Sequence, residues 1–129
     1  MNDRGHHIRL LVTSRTATLA DLAPVLGNSE PAHHDLGTRR EVGPLRQQSI
    51  WFRRWTAEAG EIEELLDQVL EWLASRKSAL TAIDPAALFK VVCNPADARL
   101  AISPFVAAKL VELQVLLLVD TSGPSAGEA

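Results

Sequence analysis

The closing stretch SPFVAAKLVELQVLLLV, residues 103–119, decides the fold. Ser103 followed by Pro104 is a helix start: a side-chain oxygen to cap the first free N–H groups, then proline where its missing N–H costs nothing. Val106, Leu110 and Leu113 then recur at helical spacing. Residues 115–119 are apolar at every position. Such a run demands cover on both faces and suits a central strand. A helix feeding such a strand points to a sheet with helices packed on it.

Working outward, residues 99–102 read as a strand and residues 88–93 as another. Asn94-Pro95-Ala96-Asp97 is the turn that would join them as a hairpin. Upstream lies the longest helical pattern, residues 57–80, with Ile62, Leu65, Leu66, Val69, Trp72, Leu73 and Leu80 on one stripe. Its acids cluster early and Arg76 and Lys77 come late, which complements the helix dipole. Asp84-Pro85 ends it. Residues 49–55 form a strand, with Ile50, Phe52 and Arg54 on one face and Trp51, Arg53 and Trp55 on the other. Residues 30–48 are polar and carry Pro31, Gly37, Gly43 and Pro44. They predict a loop with one short edge strand near residues 35–39. A short helix precedes this loop. Thr18 is its cap, Asp21 stands in a capping-box position, Pro24 lies inside it and Gly27-Asn28 ends it. The first strand is residues 7–12. The expected fold is therefore α+β: one mixed, mostly antiparallel sheet of five or six strands with three helices, the long one packed across it. Residues 1–120 form the single domain, and the small, polar residues 121–129 are expected to be disordered.

Composition narrows the function. A chain of 129 residues with 47% apolar content can build one core. A net charge of −3 argues against a general nucleic-acid binder. Cys93 is the sole cysteine, so no intrachain disulfide forms. No apolar run reaches membrane-spanning length, and residues 1–9 lack a signal core. A cytoplasmic protein is the expectation. Ten of the thirteen basic residues are arginine, a bias of GC-rich genomes.

The first strand, Thr18-Leu19-Ala20-Asp21, Leu26-Gly27 with Pro31 and Gly37, the Trp51 strand before the 62–80 helix, and the segment 100–120 together resemble a bacterial family known as domain of unknown function 4279. The resemblance spans roughly residues 7–120, and the arginine pair Arg53-Arg54 departs from it. It implies this fold and a bacterial host, and it implies no reaction.

Chemical signatures are sparse. His6-His7 and His33-His34-Asp35 hold metal-ligating types, but neighbours on a strand point to opposite faces, so each pair gives one ligand at most. No metal site and no cofactor are expected. Cys93 shares a strand face with Phe89 and Val91, which suits a buried structural thiol. Glu58, Glu61, Glu63, Glu64, Asp67 and Glu71 lie along one helix and read as a solvated face. No glycine-rich phosphate loop or nucleophile elbow occurs, and no catalytic residue is assigned.

One cluster stands out. Arg39, Arg40, Arg46, Arg53 and Arg54 lie within sixteen residues beside one acid, Glu41, and beside Trp51, Phe52 and Trp55. Arginine and tryptophan are favoured interface anchors. The expected function is a non-enzymatic protein-binding module, immunity- or regulator-like, with Arg39, Arg40, Trp51, Arg53 and Trp55 as its surface. The alternative is a small sensor or enzyme holding an anion on Arg39, Arg53 or Arg54. The structural explanation is that Trp51 is core and the arginines are solvated or paired with the acidic helix that follows.

Overall fold

The computed structural model describes residues 5–30, 35, 47–58, 60–97 and 99–121. Its elements are β1 (His6–Ser14), α1 (Leu19–Leu26), β2 (Ser49–Ala57), α2 (Ile62–Ile83), β3 (Leu88–Asn94), α3 (Pro104–Leu113) and β4 (Val115–Val119). The four strands form one sheet in the order β2-β1-β3-β4. β1 runs antiparallel to both β2 and β3, and β3 runs parallel to β4. The α+β class, the mixed sheet and the three helices are as expected. The strand number among the described residues is four, not five or six.

The helix starts form as their residues dictate. Thr18 accepts from the Asp21 N–H (3.1 Å) while Asp21 accepts from the Thr18 N–H (2.9 Å), a complete capping box. Ser103 accepts from the Val106 N–H with Pro104 in the first turn. Gln114, in the left-handed conformation (φ 58°), turns the chain directly from α3 into β4. The long helix begins at Ile62 rather than residue 57. β2 stays paired to β1 as far as Ala57 opposite His6, and Gly60 (φ 90°) makes the turn.

The expected hairpin is absent: residues 99–102 are irregular. β3 has β1 on one side and β4 on the other, so no edge remains for a third neighbour. Leu100 and Ile102 instead pack against the core. The closing unit is the parallel crossover β3-α3-β4. β4 is also not central. It occupies the edge of the sheet, with Leu116 58% and Leu118 43% exposed. The edge strand expected near residues 35–39 and the tail of 122–129 lie outside the described residues.

Side chains alternate across the strands, and one alternate set makes the core. Ile8, Leu10, Val12, Trp51, Phe89, Val91, Cys93 and Val115 join Leu22 and Leu26 of α1, Leu65, Leu66, Val69, Leu70 and Leu73 of α2, and Val106 and Leu113 of α3. All three helices therefore lie on one face of the sheet. α2 docks through the stripe that its sequence periodicity marks. Lys109 of α3 bonds Asp67 (2.5 Å) and Glu71 of α2, and these carboxylates raise its pKa. Part of the acidic face of α2 thus holds α3 in place.

Candidate functional site

β2 carries the residues that the sequence singles out, and the strand sends them to two different places. Trp51 points into the core and is fully buried. Its indole N–H donates to the Gly27 carbonyl at the end of α1 (2.9 Å), so its polar edge is satisfied inside. Trp51 is thus core and does not contribute to an exposed surface. Its ring stacks on Trp72 of α2, 5.8 Å between centroids and 11° between planes. Trp55 meets the same Trp72 edge-on at 5.3 Å and 70°.

Arginines close this three-ring cluster from outside. The Arg53 guanidinium carbon lies 4.6 Å from the centroid of Trp55 and 5.4 Å from that of Trp72. The Arg76 guanidinium carbon lies 4.1 Å from Trp72. Arg76 also donates to the Trp72 carbonyl and the Ser75 hydroxyl, so it is fixed. Arg53 is exposed, and its N–H groups reach no acceptor among the described residues. The structure thus brings Arg53 and Trp55 together as expected and adds Trp72 and Arg76. Those two stand four apart on α2, the spacing that puts side chains on one helix face. Read only as core stripe and dipole complement, they give no sign of joining β2. Arg39 and Arg40 lie outside the described residues.

Arg54 lies on the opposite face with Ile50 and Phe52, as the two-residue period requires. The free edge of β2 there is occupied by the chain leaving α1. Glu30 N–H donates to the Phe52 carbonyl (2.9 Å), Ser29 Oγ accepts from the Phe52 N–H (3.0 Å), and Glu30 Oε2 accepts from the Arg54 N–H (3.1 Å).

Two cavities lie elsewhere. A cleft of about 650 Å³ is lined by His6, Gly60, Glu61, Glu63, Asp97 and Arg99, among others. Several of its polar groups are already engaged. His6 Nδ1 accepts from the Ala96 N–H and Nε2 donates to the Gly60 carbonyl, both at 3.0 Å. Glu63 accepts from the Ser103 N–H, and Arg99 faces Asp97. A smaller cavity, about 120 Å³, lies beside Thr13, Arg15, Thr16 and Asp84. Here the Ser14 hydroxyl donates to Asp84 (2.6 Å) and accepts from the Ala17 N–H (2.9 Å). The hydrogen bond from Ser14 holds the Asp84 carboxyl below its usual range. Among the described residues, no histidine lines this cavity to activate the serine. The arrangement ties the end of β1 to the end of α2.

Cys93 is buried on the covered face, and burial pushes its thiol up to about 12. It is a packed thiol and not a nucleophile. Among the described residues, no three His, Cys, Asp or Glu side chains gather as a metal-ligand set, and no helix is long and apolar enough to cross a membrane. Neither Arg53 nor Arg54 lines either cavity.

Comparison of the chain with family models, with curated proteins and with solved structures finds no match.

Proposed function

We propose that this chain is a non-enzymatic module of the bacterial cytoplasm that binds another protein, in the manner of an immunity protein or a regulator. The resemblance to domain of unknown function 4279 belongs to the same proposal. The observation that carries it is the setting of Arg53: a guanidinium carbon 4.6 Å and 5.4 Å from the centroids of two indoles, with its N–H groups unmet among the described residues. Contact with two rings restricts the side chain before a partner arrives, so less rotamer freedom is lost on binding. A preorganised arginine beside a half-buried tryptophan is the composition of an interface anchor. The anion-sensor alternative draws no support from Arg53 or Arg54, because neither lines these two cavities.

The test is capture of a partner from lysate of the source bacterium, followed by affinity measurement on the purified pair. Arg53→Ala weakens binding by about 1–4 kcal/mol, the range of interface anchors, and leaves the thermal melt in place. Arg54→Ala weakens it less. Unchanged affinity in Arg53→Ala at equal stability contradicts the reading.

A further inference from the structure

β4 is the strand whose setting departs furthest from what its residues demand. Five consecutive apolar residues, paired in parallel, belong under cover on both sides. Here the helices cover one side only. On the other, Leu116 and Leu118 stand 58% and 43% exposed, with Leu88 of β3 at 69%.

The ladder registers map this open face. Phe52, Leu11, Lys90 and Leu116 form one row across the four strands, and Arg54, Arg9, Val92 and Leu118 form the next. Arg9 and Arg54 are direct cross-strand partners. Two like charges so placed cost stability, and a sheet made only to fold gains nothing from them. Lys90 pairs with Leu11, one step diagonal from Arg9. None of the three cations is in an ion pair among the described residues. No strand position on this face carries a carboxylate; Glu30, Glu58 and Asp120 lie beyond its margins. A chain of net charge −3 therefore gathers, on a sheet face with exposed leucines at its β3–β4 side, positive charge that is unpaired among the described residues.

We propose that this face docks an acidic amphipathic helix of another protein. The aliphatic stripe of that helix covers Phe52, Leu116 and Leu118, and its flanking Asp and Glu side chains meet Arg9, Arg54 and Lys90. The docked helix supplies the missing layer on the second side of the sheet. Four strands spaced about 4.8 Å apart give a face about 14 Å wide, room for one helix of about 10 Å diameter. A second copy related by a two-fold axis would set these cations against their own kind. A nucleic acid would find cations but, among the described strand residues of this face, only the rings of Phe52 and His7 among aliphatic side chains poorly suited to base stacking. This surface is separate from the Arg53 cluster, and the proposal does not depend on that reading.

The test pans a displayed library of randomised helical peptides against the full chain. The proposal expects winners with an aliphatic stripe flanked by Asp and Glu. Their affinity falls about tenfold or more for the Arg9→Glu/Arg54→Glu variant, because charge pairing across an interface has changed sign. It is unchanged for Arg53→Ala, which separates this surface from the Arg53 anchor. The variant's thermal melt confirms that it is folded, and Leu118→Ser gives a second variant that leaves charge alone and still weakens binding. Basic or neutral winners, or winners indifferent to both variants, overturn the proposal. So does tighter binding of a single-stranded oligonucleotide or of anionic phosphatidylserine vesicles in parallel arms. Self-association of the free chain that Leu118→Ser abolishes overturns it too.

Discussion

On the covered face of the sheet Ile8, Leu10, Val12 and Val91 are fully buried, whereas one step along the same strands the open face offers Arg9, Leu11, Thr13 and Lys90. The covered face follows packing rules: the tryptophan ring stacks on a second ring, its N–H finds a carbonyl, and no charge lies within the core cluster. The open face breaks the rules that a fold obeys for its own sake. It opposes two arginines across strands and leaves leucines in solvent. Where stability alone explains the residues, function need not be sought. Where it does not, the residues point to something absent from the free chain.

The sharpest way to break that contrast is to cut into the covered face. Trp51→Ala removes a fully buried indole, its stacking on Trp72 and its bond to Gly27, and should cost about 3–5 kcal/mol in urea unfolding. A loss under about 1 kcal/mol would mean that the ring is not core. Leu66→Ala, on the buried stripe of α2, should cost about 2–5 kcal/mol. A smaller loss would show that α2 does not dock by that stripe.

Asp84 lies at the rim of the covered face, and its carboxylate is held by Ser14 and the Ala86 N–H. Asp84→Asn should cost about 1–3 kcal/mol at neutral pH, because Ser14 then loses a charged acceptor. The native pKa is lowered, so the contribution is complete above the unfolded value near 3.9 and fades as pH falls through the lower native value. Unfolding curves of both proteins should therefore converge in strong acid. A gap that widened with acid would contradict the assignment. On the open face, Leu118→Ser should change stability by no more than about 0.5 kcal/mol, as surface substitutions do. A larger loss would place Leu118 inside the fold.

The sequence shows the covered face more clearly than the open one. The stripe of α2, the capping box of α1 and the alternation of β2 follow from local spacing and hold in the structure. The separation of Trp51 and Trp55 from Arg54 follows from the same period of two. What local spacing cannot show is which strand neighbours which. Residues 99–102 have strand-like composition, but β3 already has two neighbours, and pairing is decided by the whole sheet. Residues 115–119 ask for cover on both sides, and only the sheet order shows that one side is bare. The Arg53 site was half legible. Arg53 and Trp55 lie near each other in sequence, while Trp72 and Arg76 arrive from α2 by tertiary packing.

Hydroxyl-radical footprinting of the free chain tests the difference between the two faces most directly. The account predicts that Leu88, Leu116 and Leu118 are oxidised readily while Leu66, Leu70 and Leu73 are protected. Protection of Leu116 and Leu118 in the monomer, equal to that of the α2 leucines, would mean that the sheet has no open face.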